Sequence, residues 1–594
     1  MLERKKAAMF AVSCMTALVV VAAVSAAVTF GRAPTARAAE PVPVTGSAQP
    51  GSAALVAHYT VNQGSTGAAT AAQLRAAANS AATHDAMTRS RIDAQTLARD
   101  KAATRQSAPK SDFVGSSLVD RSVTSFPGIQ SSAAVCPPVG CNPPDGGLAA
   151  SSRWVLDGAN TSYAVFDTHG NLQPGWPKTF QSFFGIPDPG ACANHIPFTS
   201  DPRAFFDLNT GRFVAAALEL EGAFETACPL KSVYYIAVSQ TGDPRGAWNV
   251  YVFDMTLGLN NVADFTQIGF DGKNIYFSAN MFAATKNIAD STFQFAEAFG
   301  ANKAAMDDGE EVTSHGFFNF TVTGPAGTFL VDTVQPAETI AAGAGPSAEL
   351  FVDTFNGFDP VTNHGCTSAA DACTGLAVWA FSNRGEGAPS LSFAYVPNTK
   401  AYVFAPPANQ TTCKQCIDSG DLRISATPIY RDGALYAGWE TGVRNDTQVV
   451  PGIVWSKVRT HIADGRVTSA SQERGDYFNF SGDAGVVYPA LMPDSRGNLF
   501  MVFDDMSSAV NPEVRLTALH GDGSFASPGL LIQPGQAAYR ASQCGTVIPV
   551  CRWGDYSATS YDGFAHDDVF FLGQYANNSP VNIRNWGTVI GKVS

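Results

Sequence analysis

From about residue 148 to the C-terminus the chain alternates between short runs of β-branched and aromatic residues and polar turns rich in Asp, Asn and Gly. Tyr163-Ala-Val-Phe166 runs into Asp167-Thr-His-Gly170, and Ala204-Phe-Phe206 into Asp207-Leu-Asn-Thr-Gly211, after which Phe213-Val-Ala-Ala216 begins the next run. The same unit returns at Tyr234-Tyr-Ile-Ala-Val238, at Asn274-Ile-Tyr-Phe277 after Asp271-Gly272, and at Phe317-Phe-Asn-Phe-Thr-Val322. It continues at Leu376-Ala-Val-Trp-Ala-Phe381, at Ala434-Leu-Tyr-Ala-Gly-Trp439 after Asp432-Gly433, and at Ile453-Val-Trp455. Leu499-Phe-Met-Val-Phe503 follows Asp494-Ser-Arg-Gly497, and the last two runs are Val569-Phe-Phe-Leu572 and Trp586-Gly-Thr-Val-Ile-Gly591. In each turn Asp or Asn bonds its own backbone and Gly supplies positive φ, while the β-branched and aromatic residues fill a pleat. The pattern predicts strands at all of these runs and leaves one stretch, 293–306, ambiguous between strand and helix.

No long amphipathic helix interrupts the series, which argues against alternating α/β architecture. A strand system of this length must dispose of its edges, and radial repetition of four-stranded units does so. The expected fold is therefore all-β, a β-propeller of six or seven blades over residues 111–594, with two or three β-sandwiches in series as the alternative. The composition agrees: 54 Gly and 39 Phe with only 15% charged residues suit a large, turn-rich β protein.

The N-terminal residues have a different character. Arg4, Lys5 and Lys6 precede an apolar run over 7–30, and Ala36-Arg37-Ala38 offers small residues for cleavage before Ala39. Residues 1–38 are read as a signal peptide, with an uncleaved anchor as the competing reading. Residues 39–110 form a low-complexity extension: a Pro/Gly/Ser/Thr/Ala linker over 40–65, then an Ala-rich stretch over 66–106. That stretch favours helix but has little apolar bulk to bury, which suggests a helix outside the core or a pro-segment. The net charge of −13 disfavours nucleic acid and anionic membrane surfaces as partners. No membrane span is expected after cleavage, and the location implied is secreted, periplasmic or cell envelope.

Eleven cysteines support export. Apart from Cys14 they fall into neighbours, Cys136 with Cys141, Cys192 with Cys228, Cys366 with Cys373, Cys413 with Cys416, and Cys544 with Cys551. An even count in an exported chain reads as disulfides, paired here by proximity alone. Cys413-Lys-Gln-Cys416 also has zinc-site spacing, but no second pair or paired His completes one, so no metal site is assigned.

Four segments resemble a family of exported bacterial β-propeller proteins, loosely sialidase-like. They are Pro143-Pro-Asp-Gly146 leading to Asn160-Thr-Ser-Tyr-Ala-Val-Phe-Asp167, Asp201-Pro-Arg-Ala-Phe-Phe-Asp207, Thr241-Gly-Asp-Pro-Arg-Gly-Ala-Trp248, and Arg552-Trp-Gly-Asp-Tyr-Ser557. The third is similar to a degenerate Asp-box hairpin, with one extra residue between Asp243 and Gly246 and Ala247 in place of a hydroxyl residue. The resemblance covers residues 140–594 and implies a propeller fold. It also implies glycan or extracellular protein as partner.

The chain contains no H-E-x-x-H, G-x-S-x-G or P-loop motif, so metallopeptidase, esterase and NTPase readings lose their usual signatures. Carboxylates remain. Glycan hydrolysis needs two, one with its pKa raised by burial, and the candidates are Asp201, Asp555 and Glu219, with Glu221 beside the last. Arg203 and Arg552 suit a substrate carboxylate, and Trp553 and Tyr556 suit stacking on a sugar. The competing reading makes all of them structural: caps, backbone bonds and inter-blade packing. Asp307-Asp-Gly-Glu-Glu311 offers hard oxygens for calcium without the spacing of an EF-hand, and Asp504-Asp505 and His566-Asp-Asp568 share that limitation. The leading expectation is a binding scaffold, and the rival is a sialidase-like glycoside hydrolase or lyase.

Overall fold

The computed structural model describes residues 51–60, 62–63, 91–111, 121–132, 135, 143–186, 198–221, 230–285, 291–341, 345–382, 389–445, 448–519, 525–540, 550–563, 568–579 and 584–594. The signal segment, Cys136, Cys141, Cys192, Cys228, Cys544 and His566 lie outside them.

The predicted strand runs are all strands, and they assemble into seven four-stranded antiparallel groups. The first runs Gly147–Ala150, Trp154–Ala159, Ser162–Asp167 and Lys178–Thr179; the second, Phe198–Asp207, Arg212–Glu221, Lys231–Ser239 and Trp248–Asp254. The third is Asn261–Phe270, Asn274–Ala283, Phe293–Asn302 and Val312–Gly324; the fourth, Gln335–Pro336, Ala348–Thr354, Leu376–Ser382 and Leu391–Val396. The fifth is Ile429–Arg431, Ala434–Arg444, Val449–Ala463 and Arg466–Phe478, and the sixth begins at Gly485–Pro493 and ends at Phe525–Gln533. The seventh takes Ala558–Tyr561, Val569–Ala576 and Trp586–Val593 from the C-terminus and its fourth strand, Val123–Gln130, from the N-terminal side.

The first strands of successive groups contact one another in order, except that Glu338–Ile340 makes the link from the fourth group to Ile429–Arg431, and Ala558–Tyr561 returns to contact Gly147–Ala150. Among the described residues no hydrogen-bonded sheet closes on itself; this circuit is made by packing. The third and fifth groups are joined through Glu338–Ile340, which pairs in parallel with both. Gly269 permits that approach, since a Cβ there would stand 2.2 Å from the Ala337 carbonyl oxygen. Asp157 secures the seventh group to the first: its Oδ2 accepts from Ile129 N at 2.8 Å and Thr588 Oγ1 at 3.0 Å.

Turn chemistry follows the sequence logic. Asp167 and Asp494 each accept two backbone N–H bonds through Oδ1 and a third bond, from an Asn side chain, through Oδ2. The degenerate Asp-box is a hairpin turn in which Asp243 accepts from Arg245 N and Trp248 Nε1 donates to Pro244 O. The ambiguous stretch 293–306 divides: Phe293–Asn302 is a strand, and Asn302 caps a short helix, Lys303–Asp308. That helix carries Asp307 and Asp308 and ends at Gly309, so two of the acids considered for calcium form a helix end. Among the described residues no three His, Cys, Asp or Glu side chains are grouped to hold a metal.

The N-terminal extension departs from its reading as linker and free helix. Gly51–Thr60 is a strand antiparallel to Val312–Gly324, and Asn62–Gln63 pairs with Trp248–Asp254, so both take up sheet-edge positions. Helix α1, Ala94–Thr104, is capped by Asp93 and docked; Ile92 and Leu97 pack against the apolar cluster of the fourth and fifth groups. Among the described residues no helix is long and apolar enough to cross a membrane.

Cys366–Cys373 and Cys413–Cys416 are disulfides, and Cys551 is disulfide-bonded as well. C-x-x-C is thus a crosslink. Closing so short a loop restrains the unfolded chain modestly, so Cys366→Ser with Cys373→Ser should cost roughly 2–3 kcal/mol. Urea unfolding of the double variant checks this, and an unchanged midpoint would contradict it.

Candidate axial site

Five first strands carry a left-handed residue, Asp145 (φ 45°) and Thr333 (56°) just before the strand and Asp201 (56°), Phe265 (54°) and Tyr488 (53°) within it. Register shifts accompany three of them, between Ser200 and Arg203, Asp264 and Gln267, and Val487 and Ala490. Bulges of this kind re-aim side chains, and such φ values in Phe, Thr and Tyr are costly enough to need a surrounding structure that imposes them. Here they flank a polar cluster where the first strands meet.

Asp145 and Asp201 are bridged by Asn160, whose Nδ2 donates to Asp145 Oδ2 at 2.6 Å and whose Oδ1 accepts from Asp201 N at 3.0 Å. Asp145 Oδ1 accepts from Asp555 N at 2.8 Å. Asp201 Oδ2 accepts from Thr266 N at 3.1 Å and from Tyr556 Oη at 3.4 Å. Arg203 lies 3.4 Å over the Tyr556 ring and donates to Thr266 O of the third group and to Ser425 O, which precedes the fifth group. Arg552 grips Asp555 through two bonds of 2.8 and 2.6 Å and stands 3.5 Å from Asp418. Arg423 pairs with Asp421 at 2.8 Å and stacks 4.0 Å over Phe265.

Burial raises the Asp201 carboxyl to about 7, assisted by the nearby Asp264 and Asp555 charges. Burial pushes Asp145 well above the carboxylate range too, with Asp555 and Asp201 adding repulsion. Asp418 goes the other way: burial opposes its charge, but Lys101 and Arg552 hold its carboxyl low.

Of the residues singled out from sequence, Asp201, Arg203, Arg552, Asp555 and Tyr556 come together here. Trp553 points elsewhere; fully buried, it donates Nε1 to Asp504 Oδ2 at 2.8 Å and meets Tyr539 edge-on. Glu219 stands apart on Arg212–Glu221, 2.7 Å from the Lys231 ammonium, with Glu221 3.6 Å from the same group; burial, with Glu221 beside it, raises Glu219 to about 8. Asp505 pairs with Arg515. Sequence reasoning missed Asp418, Asp421, Arg423 and Lys101 as members, and named Asp145 and Asn160 only within a segment that carries the resemblance. A usable signal was present in Asp418-Ser-Gly-Asp-Leu-Arg423, which pairs acid and Arg around Gly much as Arg552-Trp-Gly-Asp555 does.

A small cavity beside Arg203 is also lined by Gly146, Leu148, Phe205, Glu338 and Ser557.

No family model and no curated protein matches the chain. Among solved structures, Trypanosoma rangeli sialidase in complex with sialic acid is 9% identical at a TM-score of 0.31, over 81% of this chain and 60% of that one. The Nup133 β-propeller domain of Vanderwaltozyma polyspora is 8% identical at a TM-score of 0.31, covering 80% and 98%. A protein of unknown function from Dyadobacter fermentans is 9% identical at a TM-score of 0.33, covering 67% and 95%. At these values the likenesses assign neither family nor activity.

Proposed function

We propose that the chain is an exported, disulfide-bonded seven-bladed β-propeller that serves as a binding scaffold for glycan or protein ligands at its axial face, with residues 1–38 as its export signal. The seven four-stranded groups and the circuit of their first strands support the blade count. One observation carries the scaffold reading over catalysis: the clustered carboxylates Asp145 and Asp201 are buried, and with Asp555 they are bonded to backbone N–H, Asn160 and Arg552. Hydrolysis needs two carboxyl groups flanking a bond with space between them.

The hydrolase reading keeps one supporting observation. Asp201, raised by burial, lies in the same cluster as Asp555, which is paired with Arg552; this unequal environment is the kind that separates an acid from a base. The test is a panel of fluorogenic glycosides together with a glycan array and an extracellular-protein pull-down. The scaffold reading expects a saturable ligand and no turnover. Turnover abolished by both Asp201→Asn and Asp555→Asn would replace it with the hydrolase.

A further inference from the structure

The polar cluster has a cover supplied by the chain's own N-terminal extension. Arg91 donates to Asn356 O at 3.2 Å and lies 3.8 Å over Phe329, while Asn356 donates to Asp332 and Asp421. Helix α1 follows, and Lys101 reaches from it to Asp418 Oδ1 at 3.1 Å and Ser419 Oγ at 3.4 Å. Beyond the helix the segment is fastened at Arg444, which exchanges backbone bonds with Pro109 and Ser111, and at Asn479, which accepts from Ser111 Oγ at 2.6 Å.

Lys101 is the unusual member. Its side chain is only 7% exposed, and burying an ammonium is expensive unless partners meet it. The well it enters is built for a cation. Asp418 keeps its charge against burial because Lys101 and Arg552 face it, with Asp421 nearby. Tyr488 borders the well. Its Oη is buried, has no hydrogen-bond partner among the described residues, and would lie 3.7 Å from a Cβ on Gly420, with Glu440 Cδ at 3.9 Å. An ammonium has three donors; Lys101 places two of them, on Asp418 and Ser419.

We propose that residues 91–111 are an internal plug, and that the well centred on Asp418 is an alkylammonium site for a lysine side chain of a partner polypeptide, filled by Lys101 in the unliganded chain. The proposal rests on the axial face being the ligand-binding face and names the chemistry it takes. Because the plug is tethered, it competes at an effective concentration on the order of 1 mM, so a partner engages only by displacing it.

The experiment uses the full chain and two fluorescein-labelled peptides of residues 91–111, one with Lys and one with norleucine at position 101. The unaltered chain should bind both weakly. Lys101→Met should bind the lysine peptide at least tenfold tighter than the norleucine peptide, and adding Asp418→Asn should abolish that preference. A Lys101→Met chain that binds neither peptide, or both equally, overturns the proposal. A second measurement on the unaltered chain covers the case of a misfolded variant: saturating lysine peptide should speed amide exchange over 94–104 at least tenfold, and unchanged exchange at saturation refutes displacement. Discrimination between the peptides in a chain that captures no glycan or extracellular protein would keep the plug and sink the scaffold reading. The reverse pattern would do the opposite.

Discussion

Raising the pH from 5 to 8.5 is expected to destabilise this protein, and by more than any surface titration could. Burial holds Asp157, Asp201 and Asp505 at about 7 and Glu219, Glu338 and Glu440 at about 8. In the unfolded chain each returns to the ordinary carboxylate range near 4. A carboxyl raised by folding binds its proton more tightly in the native state. Its contribution is therefore complete below the unfolded pKa and disappears as pH climbs to the folded one. Each such group loses about 1.4 kcal/mol per pH unit within its window. Asp418, held low, is ionised in the folded and unfolded chain alike across this range and leaves the slope unchanged. Urea midpoints at pH 5, 6.5 and 8.5 should fall in that order, and Asp157→Asn, which cannot ionise, should shallow the decline. A midpoint that is flat or rises with pH would show that these carboxylates are ionised in the fold.

The second large effect concerns Arg203. Its guanidinium joins Thr266 O to Ser425 O, covers the Tyr556 face and offsets Asp201. Arg203→Met retains the bulk but takes the guanidinium from Thr266 O and from Asp201, and leaves Ser425 O with Gln335 Nε2 as its donor. Removing one partner from such a buried set costs about 3–5 kcal/mol. Arg203→Lys keeps the charge but cannot span Thr266 O and Ser425 O with a planar fork, so it should recover less than half of the loss. Urea unfolding with circular dichroism measures both. A cost under about 1 kcal/mol for the Met variant would mean that the axis is held by packing alone.

The strands were legible because their code is local. Tyr163-Ala-Val-Phe166 between Gly and Asp turns folds as read, and so does every other run that combined aromatic or β-branched residues with a turn at its end. The disulfides at Cys366–Cys373 and Cys413–Cys416 were legible for the same reason. What was lost depends on partners far away in sequence. Gly51–Thr60 looks like linker until an edge at Val312–Gly324 is available to it. Helix α1 looks like a surface helix until Asp418, 317 residues on, gives Lys101 a reason to be buried. Glu219 and Asp201 look alike as isolated acids; only the fold decides that one faces Lys231 and the other the axis. The stretch 293–306 was ambiguous because it holds both elements, with Asn302 as the switch.

The mixed origin of the seventh group has a consequence for how this protein comes into being. Val123–Gln130 leaves the ribosome early and has no sheet to join until Trp586–Val593 has followed it, and Gln130 meets Thr588 across 458 residues. Closing so long a loop adds little to the equilibrium cost, which grows only with the logarithm of length, but it orders events in time. Six groups are built from strands consecutive in the chain, while the seventh stays open at one seam until Trp586–Val593 is available to it. Without that strand Val123–Gln130 is left with an unpaired edge and exposed apolar surface, the features that mark a polypeptide for degradation or aggregation.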